Sequence, residues 1–258
     1  MNEPVVLFED ADLLVVDKPG NMVCHSASRP AQASLTAWVR ARGVTTPRLL
    51  NRLDRETSGV VVVANNERAA RILGKQMLRR QIEKEYIAIC WGRFAQPRGV
   101  VDQPIAVTKD SMVYTKRVVD PVGGRPSVTE YEVTDWLSGG QQRAETSQTF
   151  CHDDHNNMGR GFSVVRVWAR TGRAHQVRVH LAWLGHPIVG DKVYGPDEKW
   201  YLEFIEKGVT EEMLKHLLLP RQALHAAAVT ARHPTTQERM TWRAPLPTDM
   251  RTFIEEHR

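Results

Sequence analysis

One carboxylate and two guanidinium groups stand close together in the segment Leu49 to Ala64, which reads LLNRLDRETSGVVVVA. Asp54 lies between Arg52 and Arg55, and a Thr-Ser-Gly sequence begins at Thr57. Two neighbouring positive charges keep a carboxylate ionised, which suits a nucleophile or a base better than an acid. The segment therefore predicts an active-site loop around Asp54, with a structural ion-pair loop as the alternative.

Basic residues are concentrated in a second segment, which begins at Arg170 and reads RTGRAHQVRVHLAWLGHPIVGDKVYG. The basic or potentially basic side chains within its first eleven residues are Arg170, Arg173, His175, Arg178 and His180. This density is typical of a site for a phosphate or a carboxylate. A solvated helix face is the alternative.

Helical spacing in the same segment predicts how Arg178 is presented. Apolar residues recur at the spacing of one helix face from Val177 to Leu184, and Gly185 and then a proline follow as a helix end requires. We therefore predict a helix over His175 to Leu184. Arg178 would point away from its packing stripe, so this side chain needs a partner.

The elements that must position these residues form an irregular succession of strands and helices. Apolar and β-branched runs predict strands at Val5–Leu7, Leu13–Val16, Val60–Ala64, Glu85–Trp91, Val128–Thr134, Val164–Ala169 and Leu224–Val229. Helical periodicity predicts helices at Ser34–Ala41, Glu67–Arg80, His175–Leu184, Glu211–Leu218 and Thr248–Glu256. This order favours an α+β fold over a regular βαβ array.

Composition indicates an ordinary globular protein. The chain has 258 residues, of which 41% are hydrophobic and 25% charged, and we expect a single domain over residues 1–258. No apolar run is long enough to span a bilayer, and MNEPVVLFED is not a signal peptide. We therefore expect a cytoplasmic protein without a membrane anchor. We also expect a monomer. The net charge of +5 permits a nucleic-acid partner.

Neither a disulfide framework nor a metal site is expected. Cys24, Cys90 and Cys151 are an odd number without metal-type spacing, so we interpret them as bystanders in a reducing compartment. The polar stretch Ala144 to Gly161 contains the run Cys-His-Asp-Asp-His, which ends at His155. Adjacent ligands rarely complete one coordination shell, so the stretch is interpreted as a long loop.

Several motifs, taken in chain order, resemble those of the RluA-type pseudouridine synthases. They are Asp12-Leu-Leu-Val-Val-Asp-Lys-Pro19, Asn51-Arg-Leu-Asp54 with Thr57-Ser-Gly59, Lys84-Glu-Tyr86, Thr171-Gly-Arg-Ala-His-Gln-Val-Arg178, Gly185-His-Pro-Ile-Val-Gly-Asp191 and Leu224-His-Ala226. The resemblance extends from about Phe8 to Ala244. Position 51 departs from the family pattern, because this chain has Asn where the family usually has His.

The resemblance implies the pseudouridine synthase catalytic fold, with a central, largely antiparallel mixed sheet, flanking helices and a cleft. It also implies that the chain isomerises uridine to pseudouridine in RNA, with Asp54 as the catalytic aspartate, Tyr86 as the active-site tyrosine and Arg178 as the arginine paired with Asp54. Attack of the carboxylate on C6, attack on C1′ and removal of a ribose proton all remain open. No dinucleotide or NTP motif is present, and no cofactor is expected.

RNA is the expected partner, and the base must leave its stack to reach a carboxylate. Arg52 is a candidate to fill the vacated position, and the other candidate RNA-binding residues are Arg55, Thr57, Arg173 and His175. A stem-loop of ribosomal or transfer RNA is the expected substrate, because unpaired bases are the least costly to extrude. The small RNA-binding domain that often precedes the family's catalytic domain is not expected here.

Two other classes of protein would use part of the same pattern. A noncatalytic RNA-binding protein would need the basic residues and not Asp54. A uracil glycosylase or nucleoside hydrolase would use Asp54 at C1′ and release free base. Both leave Tyr86 and Arg178 without matched roles.

Overall fold

The computed structural model describes residues 3–25, 34–139 and 161–258. The strands are β1 (Val5–Glu9), β2 (Leu13–Lys18), β3 (Arg48–Leu49), β4 (Ser58–Ala64), β5 (Glu83–Trp91), β6 (Arg98–Asp102), β7 (Ile105–Val107), β8 (Arg117–Val119), β9 (Val128–Leu137), β10 (Phe162–Ala169), β11 (Leu224–Arg232) and β12 (Arg239–Arg243). The helices are α1 (Leu35–Ala41), α2 (Glu67–Leu78), α3 (Gln176–Trp183), α4 (Lys199–Lys207), α5 (Glu211–Leu217) and α6 (Thr248–Glu256).

The chain divides into two compact units, and the first consists of residues 1–86 and 225–247. Its strands follow the order β1-β2-β4-β11, with β3 on β4 and β12 on β11. These pairs are antiparallel except β4 with β11, which run parallel.

Both faces of the first unit's sheet are covered, which explains why every residue of β4 is buried. Val60 and Val62 pack with Ala69 and Leu73 of α2, whereas the alternate residues of β4 join a second cluster with α1. Successive side chains of a strand point to opposite faces, so the run from Val60 to Ala64 must be apolar throughout.

The second unit consists of residues 87–224 and 248–258. Its strands lie in the order β5-β10-β9-β6, and β9 is antiparallel to both of its neighbours. Strands β7 and β8 form a separate antiparallel pair. Trp200 of α4 packs with Met213 and Leu217 of α5 in a small apolar cluster.

The predicted elements are confirmed. All seven predicted strands and all five predicted helices are present, with ends that differ by at most three residues. Strands β3, β6, β7, β8 and β12 and helix α4 were not predicted. Helix α4 lacks a readable start, because Glu198 at its N-cap makes no capping bond through its side chain.

Some predictions stay open. Residues 144–160 of the polar stretch lie outside the described residues. This part includes the Cys-His-Asp-Asp-His run. The expectation of one catalytic domain also stays a prediction. In the described ranges, no helix is both long enough and apolar enough to cross a membrane.

Candidate active site

Asp54 lies in the loop that leads into β4, as the sequence predicts. The loop is fixed to that strand by Asn51, whose amide Nδ2 donates to the Val60 carbonyl at 2.8 Å and whose Oδ1 accepts from the Val62 amide at 3.0 Å. Neither bond requires a titratable ring. The departure from His at this position therefore leaves the loop anchored.

Lys18 and Cys24 hold the main chain on either side of Asp54. The buried Lys18 ammonium donates to the carbonyl of Arg55 at 3.3 Å, and to those of Pro19 and Met22 at 2.8 Å. Cys24 Sγ lies 3.4 Å from both the amide nitrogen and the carbonyl oxygen of Leu53. The residues before and after Asp54 are thus both held by side chains from the segment that ends β2 and follows it.

The start of β4 is fixed against β11. Ser58 pairs in register with His225, and the Ser58 hydroxyl lies 2.9 Å from His225 Nδ1. His225 Nε2 faces the Ala244 carbonyl at 3.3 Å, which favours a proton on Nε2 and an acceptor at Nδ1. Gly59 has a φ of +112°, and a Cβ there would collide with the Ala226 backbone, so this position requires glycine.

Tyr86 lies close enough to Asp54 for the charge of the carboxylate to act on its hydroxyl. The ring packs on the apolar cluster that includes Leu53 and Cys24. Burial raises the pKa of Tyr86 well above its ordinary value, with further increases from the negative charge of Asp54 and from Cys24. Tyr86 is therefore a neutral phenol at physiological pH, able to donate a hydrogen bond and poorly suited to act as a phenolate base.

Arg178 makes a buried ion pair with Asp191. Its Nε and Nη2 donate to the two carboxylate oxygens at 2.7 and 2.8 Å, and the two residues are 6% and 0% exposed. Burial alone would raise the Asp191 pKa, but the Arg178 charge and the hydrogen bonds to the carboxylate outweigh burial and lower this pKa. The prediction that Arg178 needs a partner is thus confirmed.

The aspartate has further support from its own turn. Asp191 Oδ1 accepts from the amides of Val193 and Tyr194 at 2.9 and 3.0 Å. The Tyr194 ring lies 5.0 Å from the Arg178 guanidinium carbon, close enough for a cation–π contact. Arg178 therefore contacts a carboxylate that two amides hold in place, and it also lies over an aromatic ring.

The predicted RNA-binding residues are distributed over both units. Arg52 and Arg55 are exposed in the Asp54 loop, and the amide of the buried Thr57 donates to the Asp54 carbonyl at 3.2 Å. Arg173 donates through Nε to the Pro126 carbonyl at 3.2 Å. His175 precedes α3 in the left-handed conformation, with its Nδ1 2.8 Å from the Tyr194 hydroxyl. A bond between Arg178 and Asp54 stays a prediction.

Two members of the basic segment serve other purposes. His180 is fully buried, with Nδ1 2.8 Å from the Thr129 hydroxyl and Nε2 3.0 Å from the Gln103 carbonyl, and burial lowers its pKa. It is therefore a neutral core residue. Arg170 makes a forked pair with Glu130 at 2.8 and 2.6 Å. Both side chains were counted as candidate ligand-binding groups, and neither is available as an uncommitted cation.

Sequence reasoning missed the roles of Lys18, Cys24 and Asp191. Lys18 and Asp191 both belong to motifs that carry the family resemblance, and that was the only available signal. Cys24 was interpreted as a bystander, although its sulfur contacts the Asp54 loop. Within the described ranges, no group of three or more His, Cys, Asp or Glu side chains is arranged to hold a metal ion.

Comparison with known proteins identifies the class of enzyme. Residues 12–183 match the model of the family described as RNA pseudouridylate synthase. The chain belongs to this family and is an RNA pseudouridine synthase, an isomerase.

Curated relatives match almost the entire chain. Ribosomal large subunit pseudouridine synthase D of Pasteurella multocida is 32% identical over 256 residues, which cover 97% of this chain and 69% of the relative. An uncharacterised RNA pseudouridine synthase of Bacillus subtilis, YhcT, is 34% identical over 257 residues, with 98% and 72% covered.

Solved structures confirm the predicted fold class. Human RNA pseudouridylate synthase domain containing 1 has a TM-score of 0.68 at 24% identity, with 94% of this chain and 83% of that chain covered. Human RNA pseudouridylate synthase domain containing 4 has a TM-score of 0.66 at 24% identity, with 95% of this chain and 90% of that chain covered. At 24% identity, these two structures show that the fold is shared, and they show nothing beyond the fold.

Proposed function

We propose that this protein converts uridine to pseudouridine in RNA of the large ribosomal subunit, with Asp54 as the reacting carboxylate. The RNA class is taken from relatives named ribosomal large subunit pseudouridine synthase D, which are 32–33% identical to this chain. A ribosomal substrate is met in the cytoplasm of a bacterium, so the proposal includes that compartment.

The observation that carries the residue assignment is the construction around Asp54. A surface ion-pair loop does not need a buried ammonium, a sulfur and an amide to fix its main chain, and here Lys18, Cys24 and Asn51 do so. A reaction at a precisely placed carboxylate requires such a fixed loop, and here the loop lies beside the half-buried Tyr86.

The reaction breaks the N1–C1′ bond of uridine and forms a C5–C1′ bond, while the C5 proton leaves and N1 gains a proton. Substrate and product are isomers, so the reaction requires neither an oxidant nor a reductant. The proposal therefore includes no cofactor. Asp54 would act on C6, on C1′ or on a ribose proton, and each route uses its ionised form. Arg178 would hold Asp54 ionised and oriented by a charge-assisted pair.

Tyr86 would present its ring to the extruded base and its neutral hydroxyl to a polar atom of the reacting uracil. Its raised pKa argues against a phenolate that takes the C5 proton. The hydroxyl would assist this transfer as a hydrogen-bonding group.

The substrate would be an unpaired or loop uridine, because extrusion from a stable helix costs more. The exposed Arg52 would fill the vacated stack, and Arg55, Thr57, Arg173 and His175 would contact the RNA around it. We propose that the protein acts as a monomer.

The experiment that tests this proposal uses unmodified large-subunit RNA labelled with tritium at uridine C5. We expect the purified protein to release tritium into water without an added cofactor, and Asp54→Asn to stop release while RNA binding persists. Mapping pseudouridine with a carbodiimide in RNA from a strain that lacks the protein would then identify the uridine.

Other outcomes are equally informative. Release of free uracil would move the assignment to a hydrolase. If Asp54→Asn releases tritium at the wild-type rate, the carboxylate is assigned wrongly. If only transfer RNA loses tritium, the reaction stands and the RNA class is wrong.

A further inference from the structure

Asp191 is the one fully buried acidic side chain among the described residues, and the reaction described above does not use it. It belongs to a turn that its own backbone fixes, because its amide donates to the Ile188 carbonyl at 3.2 Å and its carbonyl accepts from the Gly195 amide at 3.0 Å. Gly190 in the same turn has a φ of +78°, and a Cβ there would collide with the Arg221 backbone. The carboxylate is thus presented from a rigid position.

Asp191 contacts Arg178 through both of its carboxylate oxygens. Two donors of one guanidinium meet both oxygens of one carboxylate at 2.7 and 2.8 Å, which fixes the plane of the guanidinium as well as its position. A single-point contact would leave that plane free to rotate. The Tyr194 ring, 5.0 Å from the guanidinium carbon, adds a second restraint.

Stability alone is a poor explanation for this pair. Removing two charges from water offsets most of their attraction, so apolar residues of the same volume often serve a core as well. The buried pair does provide a defined orientation for an arginine whose charge is already balanced. This property matters where an arginine must present its remaining donors to a second carboxylate.

We propose that Asp191 is a positioning residue for the reaction and acts by fixing the guanidinium of Arg178. This inference rests on the proposed function, in which Arg178 holds Asp54. Through the Tyr194 hydroxyl, which lies 2.8 Å from His175 Nδ1, the same turn also supports a residue of the proposed RNA-binding set.

The test is the variant Asp191→Asn, which keeps the shape and removes the charge. The matched control is Asp249→Asn, because Asp249 forms a second forked pair with a buried arginine among the described residues, to Arg221 at 2.7 and 2.9 Å. We measure the single-turnover rate of tritium release and the Kd for the same RNA, per folded protein.

For Asp191→Asn we expect a rate loss of tenfold or more with a Kd within twofold of wild type. We expect Asp249→Asn to change both values by less than twofold. In an Arg178→Ala background, Asp191→Asn should cause no further loss of rate, because its effect passes through Arg178. A merely structural role would not separate the rate from the Kd in this way.

A wild-type rate for folded Asp191→Asn would overturn the inference, and so would an undiminished loss of rate in the Arg178→Ala background. If Asp191→Asn does not fold, Asp191→Glu is judged instead, because it keeps the charge and displaces the carboxylate by a methylene. For this variant we expect the same loss of rate at unchanged Kd, and an unchanged rate would overturn the inference.

Failure of the proposed function gives a different pattern. If Asp54→Asn and Arg178→Ala both keep the wild-type rate, the assignment of those two residues is wrong. If both lose activity while the Asp191 variants do not, only the role of Asp191 is rejected.

Discussion

Asp54 and Arg178 are both precisely held, and by opposite means. The Asp54 loop is fixed through its main chain, with Lys18 and Cys24 bonded to the peptide groups of its neighbours. The main chain of Arg178 is fixed by helix α3, and its side chain is fixed by Asp191. A loop lacks regular main-chain hydrogen bonds and needs them from elsewhere, whereas a helix supplies them and leaves only the side chain to be oriented.

The largest effect should come from removing the oriented side chain. Arg178→Ala leaves Asp191 buried without its cation and removes the group proposed to hold Asp54, so we expect the single-turnover rate to fall at least about a hundredfold, or about 3 kcal/mol. Arg178→Lys should restore little, since an ammonium cannot reproduce the planar fork.

Arg173→Ala is the comparison for that variant, because Arg173 lies three residues before Gln176, the first residue of the same helix, and its side chain donates to the Pro126 carbonyl. We expect it to raise the Kd for RNA and to leave the single-turnover rate within threefold. Equal rate losses for Arg173→Ala and Arg178→Ala would contradict the special role of Arg178.

The next effect concerns the main-chain support of Asp54. Lys18→Met removes donors from the carbonyls of Pro19, Met22 and Arg55, and an unsatisfied buried acceptor costs about 1–3 kcal/mol. We expect the free energy of unfolding to fall by about 2–4 kcal/mol and the rate per folded protein to fall about tenfold.

Lys192→Met is the matched control, because Lys192 is also buried, donates to the Pro220 carbonyl at 2.7 Å and lies over the Phe204 ring. It should lower the free energy of unfolding without slowing the folded protein. Denaturant unfolding and single-turnover kinetics measure the two quantities separately. An equal loss of rate in both variants would show that the Lys18 effect is general destabilisation.

This contrast also explains what the sequence could predict. Helix α3 and strand β4 are readable from the spacing of Val177, Leu181 and Gly185 and from the run after Gly59, since local periodicity determines both. The bond from Lys18 to the Arg55 carbonyl joins residues 37 apart, and no local pattern encodes it. Asp191 is only 13 residues from Arg178, yet their pairing depends on a turn that tertiary packing fixes.

The basic segment shows the limit of composition in the same way. Charge density alone cannot separate Arg178 from the buried His180 or from Arg170 paired with Glu130, because burial and partners decide which groups remain cationic and available.

A smaller effect should appear at acid pH. The lowered pKa of Asp191 means that the folded state binds its proton less readily than the unfolded state, whose carboxyl titrates near pH 3.9. The resulting stability is complete above that pKa and is lost as the pH falls through the folded-state value. Between about pH 5 and 3, the wild-type free energy of unfolding should fall more steeply than that of Asp191→Asn, by up to about 1.4 kcal/mol per pH unit.

Urea unfolding at a series of pH values measures this difference in slope. Asp249→Asn again serves as the control for the loss of one acidic group paired with a buried arginine. Equal slopes for wild type and Asp191→Asn would mean that Asp191 binds its proton equally well in the folded and unfolded states.

The smallest effect should distinguish Cys24 from Cys90, the buried thiols of the described residues. Cys24→Ala removes a sulfur that lies 3.4 Å from both the amide nitrogen and the carbonyl oxygen of Leu53, whereas Cys90→Ala removes a buried thiol from β5. Sulfur hydrogen bonds contribute less than about 1 kcal/mol, so we expect both variants to lose a similar free energy of unfolding, about 1 kcal/mol. Only Cys24→Ala should slow tritium release, by about two- to fivefold, because it loosens the peptide directly before Asp54. If the two variants react at the same rate, the ammonium of Lys18 and the amide of Asn51 are sufficient to hold the loop, and the sulfur contributes packing alone.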